Sequence, residues 1–280
     1  MVGSMAAFAV GDALIKQATT GLSAAQVVLI MACVGSLFFI GLLLRAGDRL
    51  LSPDLLNPVI VSRNVIEGLT ACAIITALSL APMSLVISIT QIVPLVVTAG
   101  AALILRELVG PRRWIAVCIG FVGVLVMLRP DSSTGVLGPL LALAGSIGLG
   151  TRDLASRMAP ASVTTVQMST WGMMSLLPAG IVLLLTTGPH PPLVQPALWA
   201  AIAASLATAM GYFAVTSAMR LGSVATVAPF RYTRLVFALI IAILVLGERP
   251  DLLTLIGAGV VVSSGLFVLF RERRLSRTAR

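Results

Sequence analysis

This sequence of 280 residues has few charged residues: Asp, Glu, Lys and Arg together make up 10% of it. Because a soluble domain carries about a quarter charged residues, this chain has too little polar surface to remain in water. Histidine occurs once, at His190, and the three cysteines lie far apart inside apolar runs. These residues support neither a metal centre nor a disulfide framework. Hydrophobic residues fill 58% of the chain, which predicts an integral membrane protein.

Motifs of the common catalytic classes are also missing. The sequence contains no HExxH, GxSxG or GxxxxGK(S/T) pattern, and no second histidine that could complete a site. We therefore predict no enzymatic activity and no cofactor. The formal net charge of +9 is spread along the chain and forms no contiguous basic domain, so nucleic acid is not an expected partner.

Apolar runs of roughly 20 residues, each long enough to cross a bilayer as a helix, follow one another along the chain. Glycine, proline and charged residues divide it into ten predicted spans: 2–18, 23–45, 57–80, 82–105, 111–129, 136–157, 163–187, 196–220, 223–247 and 250–270. The loops between them are too short to hold a soluble domain. The predicted fold class is an all-α integral membrane protein with ten transmembrane helices.

The chain also repeats itself at an offset of about 141 residues. Asp12 falls on Asp153 and Glu107 falls on Glu248, and other polar residues keep the same register. Two five-helix copies are thus predicted, at 1–130 and 135–272, followed by a basic tail at 273–280. A duplicated, lipid-soluble chain is typical of a secondary transporter.

Lysine and arginine in the short loops predict the orientation, because they accumulate on the cytoplasmic side. One side holds Lys16, Arg129 and Arg249. The other side holds Arg45, Arg49, Arg106, Arg112, Arg113, Arg157, Arg220, Arg271, Arg273, Arg274, Arg277 and Arg280. Both termini are therefore expected in the cytoplasm, with the protein in the inner membrane. Since five spans is an odd number, the second copy must be inverted relative to the first, and a solute site is expected between the halves.

Ionisable residues inside spans are costly and mark candidate sites. Arg63 and Glu67 are four residues apart and share one helical face, so they are predicted either to line a cavity or to form a packing ion pair. Arg231 and Arg234 have no charged counterparts in the first copy and could recognise a carboxylate or phosphate. A structural pairing, for example of Arg231 with Glu67, is the alternative. Polar neighbours of these segments complete the predicted solute site: Gln91 and Tyr232.

A second group of charged residues follows the repeat. Asp12 and Lys16 in the first copy correspond to Asp153 and Arg157 in the second, each pair at i, i+4 spacing. We predict that these pairs, together with Arg152, form gate or coupling contacts, with interfacial ion pairs as the alternative. Glu107 and Glu248 are expected to fix turns.

The balance of intramembrane charges favours an anionic group on the solute. Lys16, Arg63, Arg152, Arg231 and Arg234 outnumber Asp12, Glu67 and Asp153. The predicted cargo is a zwitterionic, amino acid-like metabolite or an organic anion. Coupled protons or a counter-solute are further candidate partners, with the three acids as proton carriers, and the oligomeric state is left open.

Two segments of the chain carry a recognisable pattern: Ala81-Pro82-Met83-Ser84 through Leu105-Arg106-Glu107-Leu108-Val109-Gly110-Pro111, and Ala228-Pro229-Phe230-Arg231-Tyr232-Thr233 followed by Gly247-Glu248-Arg249-Pro250. They resemble the drug/metabolite transporter superfamily and, within it, the EamA family. The second is similar to the branch that contains S-adenosylmethionine uptake carriers. The resemblance implies ten helices around a cavity lined mainly by spans 1, 3, 4, 6, 8 and 9. Uptake of S-adenosylmethionine, riboflavin or another cofactor-like solute is thus the alternative function, ahead of a channel or receptor.

Overall fold

The structure, a computed structural model, describes residues 1–106, 110–128, 135–193, 195–221 and 228–278. All regular secondary structure in these ranges is helical. The α-helices are α1 Val2–Ala18, α2 Ala24–Ala46, α3 Pro58–Leu80, α4 Met83–Thr90, α5 Val93–Leu103, α6 Pro111–Met127, α7 Leu137–Arg157, α8 Thr165–Thr186, α9 Gln195–Leu221, α10 Thr233–Leu244 and α11 Leu252–Thr278. Short 3-10 helices occur at Pro53–Leu56 and Ala228–Tyr232.

Five of these helical segments are long and apolar enough to cross a membrane by length and composition: Ala24–Ala46, Pro58–Leu80, Met83–Leu103, Thr165–Thr186 and Gln195–Val215. Two shorter apolar helices cover Trp114–Met127 and Leu252–Phe267. Large apolar side chains such as Leu44, Leu125 and Leu185 are exposed on the outside of the bundle. An outer surface of this kind fits lipid rather than water.

The predicted fourth span is two helices rather than one. α4 ends at Thr90, and α5 begins at Val93 after a turn in which the Leu95 amide donates to the Ile92 carbonyl. Pro94 has no amide hydrogen, so the α-helical ladder is interrupted at this point. The last helix also differs from its prediction, because α11 continues to Thr278 where a separate tail was expected to begin at residue 273.

Helix caps recur at the repeat offset. The Ser23 side chain accepts from the Gln26 amide, and the Gln26 side chain accepts from the Ser23 amide, which forms a capping box at the start of α2. Thr164 and Gln167 form the same box at the start of α8. The glutamine found in both copies therefore fixes where a helix begins.

The packing of helices follows the same correspondence. α3 packs on α7 and α1 packs on α9, while α2 packs on α8 and α6 packs on α11. Because α1 corresponds to α7 and α3 corresponds to α9 in the repeat, the α3–α7 and α1–α9 contacts are equivalent to each other. Glycines permit the close approaches: a Cβ on Gly145 would lie 2.6 Å from Ile74 of α3, and one on Gly211 would lie 3.2 Å from the Ser4 carbonyl of α1.

Candidate functional site

A cavity of about 190 Å³ lies among helices from both copies. Its lining comes from α1, α2, α3, the α4–α5 break, α7, α8, α9, and the 3-10 helix and α10 that follow. The lining residues are Met5, Phe8, Asp12, Ile15, Met31, Glu67, Thr70, Ala71, Ile74, Ile75, Thr90, Gln91, Val93, Pro94, Leu149, Arg152, Met173, Leu176, Thr208, Tyr212, Val215, Arg231 and Arg234. A mostly apolar wall with a few convergent polar groups is the usual form of a small-molecule site.

An ion-pair chain runs along one side of this cavity. Glu67 Oε1 accepts from Arg152 Nη1 at 2.8 Å, and Asp153 Oδ1 accepts from Arg152 Nε at 3.1 Å and Nη2 at 2.7 Å. Asp153 Oδ2 then accepts from Arg231 Nη1 at 3.1 Å. The chain therefore joins α3, α7 and the 3-10 segment before α10 through alternating charges.

Arg63 supports the first carboxylate of this chain from α3. Its guanidinium donates to the Tyr212 hydroxyl at 2.7 Å and to the Met168 carbonyl at 3.2 Å, and it lies 2.9 Å from Glu67 Oε2. The side chain is only 1% exposed, and Arg63 is not among the residues that line the cavity in the described part of the chain. Removing a fully buried guanidinium from this setting would leave several polar groups without partners.

A second ion pair, separate from this ion-pair chain, also lies in the cavity wall. Arg234 of α10 donates from Nη2 to both carboxylate oxygens of Asp12 at 2.8 and 2.7 Å, and from Nε to Oδ2 at 3.0 Å. The same guanidinium lies over the Phe8 ring, with its central carbon 5.1 Å from the ring centroid. This bidentate pair links α1 to α10 and places a charge-neutral unit in the cavity wall.

Two further charged residues meet at the turn between α3 and α4. Lys16 Nζ donates to the carbonyls of Leu78 and Ala81 at 2.8 Å each, where α3 ends. The Glu248 carboxylate accepts from the Met83 amide at 2.6 Å and from the Ser84 amide at 2.9 Å, where α4 begins. A cation at a helix C-terminus and an anion at a helix N-terminus both favour the helix dipoles.

Comparisons with known proteins identify the family of this chain. A family model described as the EamA-like transporter family matches residues 1–129 and 136–270. The chain belongs to that family.

Relatives of this EamA-like transporter include a riboflavin transporter of Rhizobium johnstonii, which is 29% identical over 222 residues that cover 78% of this chain and 72% of the relative. An S-adenosylmethionine uptake transporter of Rickettsia bellii is 24% identical over 197 residues, which cover 70% of this chain and 67% of the relative. One solved crystal structure superposes with a TM-score of 0.66 at 18% identity, covering 98% of this chain and 97% of that one. The structural likeness shows the fold, and the family shows a multi-pass membrane transporter of the drug/metabolite type.

In this EamA-like transporter two ion pairs differ from those that i, i+4 spacing predicted. Asp12 pairs with Arg234 instead of Lys16, and Asp153 pairs with Arg152 and Arg231 instead of Arg157. Helical spacing places two residues on one face, but an arginine from a neighbouring helix can reach a carboxylate bidentately. Lys16 serves the end of α3, and Arg157 is exposed.

The structure places the other predicted residues in different surroundings. Glu67, Gln91, Arg152, Arg231 and Arg234 all line the cavity together with Asp12. Tyr232, predicted to contact solute, is instead buried against the backbone of Gly265 in α11. The Arg231–Glu67 pairing offered as an alternative is replaced by Arg231–Asp153. The predicted turn residue Glu107 lies outside the described residues.

Sequence reasoning missed several cavity residues. Tyr212 accepts from Arg63, and its ring lies 5.9 Å from the Arg152 guanidinium carbon. Thr70 and Thr208 also line the cavity. The sequence did carry a signal for Thr208, because at the repeat offset it occupies the position equivalent to Glu67 of the first copy.

Proposed function

We propose that this protein is a secondary active transporter that moves a small organic metabolite across the inner membrane by alternating access. The observation that carries the proposal is the ion-pair chain in the wall of a mostly apolar cavity that both copies of the repeat line. Buried charges in a membrane protein are expensive and usually mark a solute or ion path. The matching helix contacts of the two copies support rocking of one half against the other.

The charges around the cavity favour a zwitterionic, amino acid-like or anionic solute. Four arginines and three carboxylates take part in the two ion-pair systems, so one positive charge is left to balance: Arg63, Arg152, Arg231 and Arg234 against Asp12, Glu67 and Asp153. A solute carboxylate or phosphate would supply that balance. The acids in the same network are the candidate carriers for coupled protons.

Uptake of a cofactor-like solute is the second candidate. Its support is that the curated relatives include transporters named for riboflavin and for S-adenosylmethionine. The Tyr212 and Phe8 rings in the cavity wall would suit a flat heteroaromatic group.

The turn between α3 and α4 is the proposed gate at one end of the cavity. Lys16 of α1 and Glu248, between α10 and α11, hold this turn by hydrogen bonds. To open it, these two side chains would have to release only backbone groups of the turn and the Ser84 hydroxyl. Asp12, Arg152 and Asp153 are proposed as coupling residues, since the ion pairs they form join different helices. Arg157 is the repeat equivalent of Lys16 and is the proposed counterpart at the opposite end.

Reconstitution tests the proposal directly. Purified protein in proteoliposomes should show saturable uptake of at least one labelled solute from a panel of amino acids, organic anions, riboflavin and S-adenosylmethionine. Preloading the same unlabelled solute should accelerate that uptake, as a carrier exchanges solute across the membrane. Flux that rises linearly with concentration and ignores preloading would indicate a channel and refute the transporter mechanism.

A further inference from the structure

Arg231 and Arg234 lie three residues apart, yet their guanidinium groups are used very differently. Arg234 spends both Nε and Nη2 on Asp12, whose side chain is 6% exposed. Among the described residues, Arg231 donates a single hydrogen bond, from Nη1 to Asp153, and its side chain is 31% exposed. Both arginines line the cavity. Arg234 is 21% exposed, so Arg231 is the more exposed of the two and leaves more of its guanidinium donors available to the cavity.

The partner of Arg231 is also already neutralised by another group. Asp153 Oδ1 receives two hydrogen bonds from Arg152, at 3.1 and 2.7 Å. Arg152 in turn reaches Glu67, and Glu67 lies beside the buried Arg63. Within the described residues the ion-pair chain thus has three arginines and two carboxylates, with Arg63 at one end and Arg231 at the other. Arg63 is 1% exposed and is not among the described residues that line the cavity, so the terminal arginine that faces the cavity is Arg231.

We propose that Arg231 binds the anionic group of the transported solute, a carboxylate or a phosphate, and that Asp153 holds the guanidinium in place when no solute is bound. Arg234 keeps its bond to Asp12 and acts as a positioning residue. This inference rests on the proposed transport function and adds which arginine meets the cargo. Its chemistry is the bidentate recognition for which a guanidinium fork is suited.

The repeat supports the same assignment from a different direction. The position equivalent to Arg231 in the first copy is Thr90, which also lines the cavity and donates its hydroxyl to the Ile87 carbonyl. At this position the second copy thus brings a cation to the cavity, whereas the first copy brings a threonine whose hydroxyl is already hydrogen-bonded within its own helix. An asymmetric pair of this kind orients a solute that has one anionic end.

The test compares solutes that differ only in the anionic group. The pairs are S-adenosylmethionine with its decarboxylated form, L-leucine with L-leucinamide, and riboflavin 5′-phosphate with riboflavin. Binding of each to detergent-purified protein is measured by thermal shift and by competition. The first two pairs report on a carboxylate and the third on a phosphate, so the pair that shows selectivity identifies the anionic group.

Wild-type protein should prefer the anionic member of at least one pair, and Arg231→Gln should lower that preference at least about ten-fold, as expected for loss of a charged hydrogen bond. Asp153→Asn should strengthen binding of the same anionic probe, because it frees Arg231. A misfolded variant could not produce that gain. The exposed Arg45→Gln variant, which removes an arginine at the end of α2, should leave the preference unchanged.

Three results would overturn the assignment: no preference for any anionic member in wild-type protein, a preference that survives Arg231→Gln, or weaker binding in Asp153→Asn. These outcomes differ from failure of the proposed function, which would appear as the absence of saturable, exchange-stimulated uptake in proteoliposomes. A transporter that shows no preference for the anionic member of any of the three pairs, for example, would retain the function and lose this inference.

Discussion

Asp12 and Asp153 occupy the same position in the two copies of the repeat, and each is bound by an arginine from one short segment of the second copy. Arg234 takes the first aspartate and Arg231 the second. A single segment at the start of α10 thus contacts both α1 and α7, which are equivalent helices. Any rearrangement that exchanges the environments of α1 and α7 must break or re-form these two ion pairs.

Removing one partner of the Asp12–Arg234 pair should destabilise the protein, whereas replacing both partners together should cost much less. Asp12→Asn leaves a guanidinium in an apolar wall without its counter-charge, and we expect a loss of about 2–3 kcal/mol. The double variant Asp12→Leu/Arg234→Met, which removes both charges, should recover most of that loss. The measurement is the thermal unfolding midpoint in detergent. Equal destabilisation in the single and double variants would show that the pair contributes by more than charge compensation.

Arg63 should tolerate no conservative replacement. Its donors reach the Tyr212 hydroxyl, the Met168 carbonyl and Ser156 from one planar group, whereas a lysine ammonium is a compact point charge. Arg63→Lys is expected to cost about 2 kcal/mol in unfolding free energy, as for unsatisfied buried polar groups. Arg45→Lys, at an exposed site, is the matched control and should leave the unfolding midpoint unchanged. An unaltered midpoint in Arg63→Lys would argue against this supporting role.

Glu248 should control how firmly the start of α4 is held. In Glu248→Gln one of the two oxygens becomes an NH2 group that cannot accept, so the hydrogen bonding at that position is lost together with the negative charge at the helix N-terminus. Hydrogen–deuterium exchange at the Met83 and Ser84 amides is therefore expected to become faster.

Asp251→Asn offers a control of the same chemistry at another helix. Asp251 accepts from the Leu253 and Thr254 amides at the start of α11, so its substitution should accelerate exchange there and leave α4 unchanged. If Glu248→Gln left exchange at α4 unaltered, the proposed gate at the α3–α4 turn would lose its main contact.

The frame could be predicted from the sequence because the repeat preserves residues with local roles. Gln26 and Gln167 hold capping boxes that depend only on residues three positions away, and such contacts can be read from spacing. The Arg63–Glu67 contact at 2.9 Å is of the same local kind.

The partners of the remaining charges could not be predicted, because they depend on where separate helices cross. Nothing near Asp12 in sequence indicates Arg234, which is more than two hundred positions away. The burial of Tyr232 against Gly265 depends equally on how α11 packs. Spacing identified which residues are costly in lipid, and only the helix arrangement assigns them to one another.

The inversion of the second copy that the span count predicts gives the last test. Leu51 and Pro192 are equivalent positions in exposed loops, after α2 and α8 respectively. If five spans separate copies of opposite orientation, single cysteines at these two sites should lie on opposite membrane faces. In a variant whose three native cysteines are replaced by alanine, an impermeant maleimide added to intact cells should label Pro192→Cys. Leu51→Cys should react only after permeabilisation, because the loop at 46–56 is predicted to be cytoplasmic from its arginines. Labelling of both sites from the same side would refute the inverted repeat. It would also refute an alternating-access mechanism in which α1 with Asp12 and α7 with Asp153 exchange equivalent environments.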